Sequence, residues 1–204
     1  MGKISNNYIH ELSWSHDFSQ YTERLLNFVK SNKTWNQSSP KWCVISTTSI
    51  LSIPIFQRID EISHKVEISK CVLRSTKLND WNYPHCDKNG NHALPLSLNI
   101  PLRSPETAVT TWYDFSKNQE YSSWDFRNDL IKDYPERKLS LDAAAPYAVF
   151  SHRMEVPAVI NTTVPHSAYN DFEGDRIILS IHFKKNETAL RWHERTMFDN
   201  IDLS

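Results

Sequence analysis

His85, Asp87, His166 and Arg176 have the side-chain types and spacing of a metal site with an anion clamp beside it. His85 and Asp87 stand two apart in the run Asn82-Tyr83-Pro84-His85-Cys86-Asp87-Lys88-Asn89-Gly90. Residues two apart on a strand leave the same face, so this imidazole and carboxylate can approach one ion. A neutral imidazole nitrogen with a hard carboxylate oxygen suits a borderline divalent metal. Alone, a His-x-Asp pair is weak evidence, because a satisfied surface pair is the commoner reading of a lone instance. A further histidine, His166, follows Pro165 at the end of a strand-like run, and Arg176 comes ten residues later, after a turn at Gly174. Hairpin geometry can bring those two to one cavity. Arginine there suits a dicarboxylate, since its planar fork gives a carboxylate two parallel hydrogen bonds and stays charged.

The elements that must position these groups read mainly as strands. Residues 65–73 alternate, and Leu94, Leu96, Leu98 and Ile100 occupy one parity. Segments 107–115, 148–154, 156–164 and 176–183 read the same way, and 42–56 mixes β-branched and aromatic residues as one or two strands would. Ser15 could cap a helix from about Asp17, with Phe18, Tyr21, Leu25, Phe28 and Val29 at helical spacing. Residues 121–135 suit a helix or a lid-like loop, and 184–204 suit a short helix packed on the outside around Leu190, Trp192 and Phe198. Short strands without βα alternation predict an antiparallel sandwich or barrel. The expected architecture is therefore mainly β, a jelly roll (double-stranded β-helix) with flanking helices at the N-terminus and the tail. One domain spans 1–204, with support from 1–64, a core over 65–183 and a tail over 184–204.

The whole chain bounds the function class. Its net charge of -1 and 23% charged residues describe an ordinary globular surface. No basic stripe marks a nucleic-acid binder. Cys43, Cys71 and Cys86 form no CxxC pair, so neither a zinc ribbon nor a disulfide framework is expected. The first residues lack an apolar signal core and no run approaches membrane-spanning length, so a cytoplasmic location without membrane contact is expected. The internal glycines, Gly90 and Gly174, fall just after Asp87 and just before Arg176.

The order His-x-Asp, distal His, then Arg ten residues on resembles the Fe(II)/2-oxoglutarate-dependent oxygenase superfamily, over about residues 83–183. The resemblance implies that His85, Asp87 and His166 hold Fe(II) as the catalytic 2-His-1-carboxylate triad. It further implies that Arg176 pairs with the far carboxylate of 2-oxoglutarate, the cosubstrate. The implied reaction consumes dioxygen and 2-oxoglutarate, releases succinate and carbon dioxide, and oxidises an organic substrate, with a small metabolite or amino-acid side chain preferred. Family halogenases lack the carboxylate that Asp87 supplies, so hydroxylation or demethylation is implied. Ile178 stands where many members carry a serine, so Ser180 is not assigned to the cosubstrate. His182 stands where the AlkB-type nucleic-acid demethylases carry a second arginine, so that branch is the alternative and not the first choice.

Two neighbours are candidate cosubstrate contacts. Tyr83 shares parity with His85 and either faces the same cavity or fills the core as an aromatic. Asn99, with Ser97, lies on the parity opposite the leucines, which leaves pocket lining or plain solvent exposure. Trp112 and Tyr113 are adjacent, so one should point in and the other out. His182 shares the Arg176 face, and Cys86 should pack away from its ligand neighbours. A non-catalytic jelly-roll binding protein, with an incidental His-x-Asp, is the reading from a different class. A cupin-like enzyme fits least, for want of an HxH pair.

Overall fold

The expected alternation becomes two antiparallel sheets in the computed structural model, which describes residues 3–14, 16–32, 41–62, 68–89, 92–93, 96–104, 108–126, 138–171, 174–183 and 192–200. The strands in chain order are β1 (Ile9–Glu11), β2 (Lys41–Ile45), β3 (Ile68–Thr76), β4 (Asp80–Trp81), β5 (Lys88–Asn89) and β6 (His92–Ala93). They continue with β7 (Leu96–Arg103), β8 (Val109–Tyr113), β9 (Ala148–His152), β10 (Ala158–Asn161), β11 (His166–Asn170) and β12 (Arg176–Phe183). Among the described residues the larger sheet runs β1-β10-β7-β12-β3-β2 and the smaller β4-β11-β8-β9, with β5 and β6 a separate pair. Apart from the consecutive pairs β2–β3, β5–β6 and β8–β9, neighbours are non-consecutive in sequence, which makes this the jelly roll that the strand spacing predicts.

Alternation along the central strands assigns each face of the larger sheet. On β12, Ile177, Leu179, Ile181 and Phe183 join Leu96, Leu98, Ile100 and Leu102 of β7 in the principal core. Helices α1 (Thr22–Asn32), α2 (Thr47–Leu51) and α3 (Pro54–Ile62) cover that face with Leu25, Val29, Ile50, Phe56 and Ile59. The opposite parity of β12, namely Arg176, Ile178, Ser180 and His182, turns towards the smaller sheet. There Ile178 meets Trp112 of β8 and Ile160 of β10 in a second cluster. With both faces covered, every residue of β12 is buried.

Three expectations need correction. Residues 42–56 are not strands throughout: β2 ends at Ile45, and α2 and α3 follow. Ile50, Ile53, Phe56 and Ile59 recur every third residue and are buried, so helical periodicity overrode β propensity. Ser46 caps α2, accepting from the Ser49 N–H at 3.1 Å, and Pro54 opens α3 where its missing N–H costs nothing. The amino-terminal helix is also split. Asp17 caps a 3₁₀ turn at Phe18–Tyr21 by accepting from the Ser19 N–H at 2.9 Å, and α1 continues from it. Ser15, expected as the cap, lies outside the described residues. Lastly, the tail segment Trp192–Asn200 is a 3₁₀ helix, and its Phe198 lies in the principal core, not on the outside. Phe198 packs 5.6 Å from Phe183, and its carbonyl accepts from the Trp14 indole at 3.0 Å.

Candidate metal centre

His85 and His166 come together because they form an isolated antiparallel bridge at the edge of the smaller sheet. Each backbone N–H donates to the other's carbonyl at 2.9 Å, which places the rings 4.8 Å apart. Asp87 lies two residues on, its N–H donating to the Thr162 carbonyl at 3.0 Å. One donor atom from each of the three side chains lies within 4.8 Å of the others, a spacing that one ion between them satisfies.

The hydrogen-bonding partners point the imidazoles inward. Nδ1 of His85 lies 2.9 Å from the Tyr83 carbonyl, and Nδ1 of His166 lies 3.0 Å from the Val164 carbonyl. A carbonyl only accepts, so each Nδ1 carries the hydrogen and each Nε2 presents a lone pair. Those Nε2 atoms lie 3.4 and 3.9 Å from the Asp87 oxygens, and His85 Nε2 is buried without a hydrogen bond. An orphaned, buried lone pair beside a carboxylate is the arrangement a cation resolves.

Charge states agree. Burial would raise the Asp87 carboxyl, but Arg74, with Nη2 3.6 Å away, and the two imidazoles hold it well below the ordinary carboxylate range. Burial, then the nearby His85, pushes His166 down to about 4, and burial pushes His182 down to about 3. At neutral pH the site thus presents an ionised Asp87 carboxylate and a neutral His166, the forms in which both bind a metal.

These shifts have a consequence for stability. Between pH 6.5 and about 4 the unfolded chain takes up protons on His166 and His182 that the folded chain refuses. The metal-free protein is therefore expected to lose stability as pH falls from about 6.5, with the loss from these groups levelling off near pH 3. Asp87 works in the same direction at lower pH. Urea midpoints at pH 7.5, 6.0 and 5.0 measure it, and a flat profile would contradict this account of the buried histidines.

Arg176 opens β12 and lies in the same cavity as Asp87 and His166. Asn170 secures the turn ahead of it, donating to the carbonyls of Thr76 at 2.9 Å and Gly174 at 2.8 Å. The guanidinium is 4% exposed, donates to Thr110 Oγ1 at 2.7 Å, and keeps a buried Nε without a partner. Among the described residues no carboxylate pairs with it. Burial, then the like charge of Arg74, lowers it to about 10, so it remains a cation at pH 7. A buried cation without an anion is costly, and a bound carboxylate relieves that cost.

The cavity brings together Asp87, His166, Arg176 and Asn99, the last buried and facing inward from β7. Solvent exposure for Ser97 and Asn99 is overturned, because the smaller sheet covers the face opposite the leucines. Tyr83 is absent from the cavity lining. It packs with Cys86, Tyr113 and Phe126 in an aromatic layer, with Lys138 Nζ 5.5 Å over its ring. Trp112 and Tyr113 do face opposite ways, yet both are buried, since that aromatic layer covers the outer face of the smaller sheet. Arg74, Thr76, Asn82 and Thr110 also line the cavity and escaped sequence reasoning. The available signal for Arg74 was a charge on the inner parity of an apolar strand. The cavity measures about 60 Å³, so a ligand of several carbon atoms needs its polar side chains to move apart.

No family model and no curated protein matches the sequence. Solved structures do match. The carbocyclase SnoK from nogalamycin biosynthesis, described as non-heme and alpha-ketoglutarate dependent, superposes with a TM-score of 0.55 at 11% identity, over 87% of this chain and 80% of that one. HygX from Streptomyces hygroscopicus, solved with nickel and 2-oxoglutarate bound, gives 0.55 at 12% identity, over 88% and 83%. A Pseudomonas putida prolyl-4-hydroxylase gives 0.50 at 10% identity, over 87% and 91%. The chain shares the fold of these solved structures. In this fold the larger sheet supplies Arg176 and Asn99, and the smaller sheet with its edge bridge supplies the His-Asp-His cluster.

Proposed function

We infer that the protein is an Fe(II)- and 2-oxoglutarate-dependent oxygenase that hydroxylates a small metabolite or an amino-acid side chain. The observation carrying this reading is a cavity lined by Asp87 and His166 of the His-Asp-His cluster together with a buried arginine that has no anionic partner among the described residues. His85, Asp87 and His166 hold the iron, and Arg176 with Thr110 grips the far carboxylate of the cosubstrate. Three protein donors on one side of an ion leave its remaining positions open to ligands. Iron with 2-oxoglutarate supplies dioxygen chemistry, coupling decarboxylation to succinate and carbon dioxide with oxygen insertion into a substrate C–H bond.

The chain's own contribution is orientation and exclusion of water. The backbone bridge and the carbonyl-bound Nδ1 atoms fix both imidazole planes, and Asp87 adds the one anionic ligand. Ile160 and Ile178 form the apolar part of the wall, which shields a reactive centre from side reactions. Asn99 lines the same cavity and would offer its amide to the cosubstrate, whereas Tyr83 packs against His85, their ring centroids 6.1 Å apart.

Anaerobic addition of Fe(II) and then 2-oxoglutarate is expected to raise a weak visible charge-transfer band, and admitting oxygen to yield succinate. A protein with neither response is not an oxygenase. The non-catalytic binding reading would then stand.

A further inference from the structure

Arg74 belongs to the cavity and to neither role above. It sits on β3 opposite Ile178 of β12, one same-face step from Thr76, which pairs with Arg176. Two guanidiniums therefore occupy adjacent rows of one wall. Among the described residues Arg74 makes one polar contact, the 3.6 Å approach of Nη2 to Asp87 Oδ1, which is long for a hydrogen bond. Its Nε is buried without a hydrogen-bond partner, while 30% of the side chain is exposed, so it reaches from the cavity towards solvent.

Neutralising Asp87 is the simpler explanation of this arginine, and it holds only while Asp87 has no other cation to serve. A divalent ion on the His-Asp-His cluster takes up that carboxylate. Arg74 then shares that carboxylate with the ion, and a second guanidinium, Arg176, lines the same cavity. The charged side chains lining the cavity are Arg74, Arg176 and Asp87. A divalent metal and a dicarboxylate cancel one another, so one positive charge remains, at the partly buried Arg74 where the cavity meets solvent. Partial desolvation without an anion is unfavourable, and a single negative charge balances it. A carboxylate has that charge and the planar shape that a guanidinium fork matches.

We propose that Arg74 binds a carboxylate of the molecule being oxidised, so that the substrates are small monocarboxylates oriented between Arg74 and the metal. This rests on the cosubstrate reading above and extends it to substrate class.

The test uses the full chain loaded with Ni(II) and 2-oxoglutarate, which holds both ligands without turnover. The probes are N-acetylglycine and its neutral counterpart N-acetylglycinamide, followed by saturation-transfer NMR. The wild-type protein is expected to bind the acid and not the amide. Arg74→Gln is expected to lose acid binding by roughly tenfold or more, and Arg74→Lys to retain part of it. Nickel and 2-oxoglutarate affinities should stay within about threefold in both variants. Equal binding of acid and amide, no acid binding, or an unchanged Arg74→Gln overturns the proposal. A fall in nickel affinity would instead assign Arg74 to orienting Asp87. A fall in 2-oxoglutarate affinity would assign it to the cosubstrate's near carboxylate; either result also overturns the proposal. Failure of the wild-type protein to bind 2-oxoglutarate overturns the cosubstrate reading itself, and the titration detects that separately.

Discussion

Asp87→Ala is expected to lower the affinity for divalent metal by more than about 100-fold, the largest loss from any single substitution at this site. Even partners that merely orient metal ligands are worth roughly 10- to 100-fold, and Asp87 is itself the one anionic donor of the cluster. Its removal leaves His85 and His166, two neutral donors, facing an ion with Arg74 nearby and no longer offset. Breaking one half of a buried charge pair costs about 3–5 kcal/mol, which corresponds to the same range of affinity. Competition against a chromophoric chelator with Zn(II) or Fe(II) measures it. Asp87→Glu keeps the charge but lengthens the arm, so it should recover part of the loss. A metal affinity unchanged in Asp87→Ala would mean that the cluster is not the metal site.

The second large effect is on the cosubstrate. Arg176→Met is expected to weaken 2-oxoglutarate by roughly 30-fold or more, since truncating one partner of a buried charged pair costs about 2–5 kcal/mol. Metal affinity should change little, because Arg176 makes no contact with the three ligands among its hydrogen bonds. The unliganded variant should be no less stable than the wild type. In the ligand-free protein Arg176 is a buried cation with one hydroxyl partner and no anion, an arrangement that opposes folding. Thermal melts of the metal-free proteins separate the two roles. A structural arginine would show lost stability with unchanged binding, the reverse of what is expected here. If binding persists, another cation anchors the cosubstrate; Arg74 is the described one, whereas Lys184 and Arg191 lie outside the described residues.

These two substitutions also separate fold from function. Structural likeness at 10–12% identity reports how the chain is folded, and the side chains must carry the chemistry. Here they do so through burial without satisfaction. Of the buried polar atoms without a hydrogen bond among the described residues, His85 Nε2, Arg176 Nε and Arg74 Nε belong to the cluster or its cavity, while others such as Arg153 Nε and Trp192 Nε1 lie elsewhere. Such groups cost stability in the absence of ligand, which is the expected signature of a preorganised site.

The sequence alone determined the candidate donor set, its order, and the strand parities of the core. The leucines of β7 share a face because strand geometry repeats every two residues, whereas His85 and Asp87 lie outside the named strands and are placed by the bridge to His166 and by the Asp87 N–H bond to the Thr162 carbonyl. It could not decide what covers each face. Ser97 and Asn99 read as polar and so as exposed, yet the second sheet buries them, because alternation is local while burial depends on what packs across. Periodicity over 50–59 competed with β propensity, and contact with the principal core resolved it in favour of helix. Phe198 entered the core for the same reason, through Phe183 and Trp14, far away in sequence. The bridge between His85 and His166 and the approach of Arg74 to Asp87 join segments that no local pattern links. Chain-local chemistry thus named the candidate ligands, and only tertiary packing placed a second guanidinium beside them.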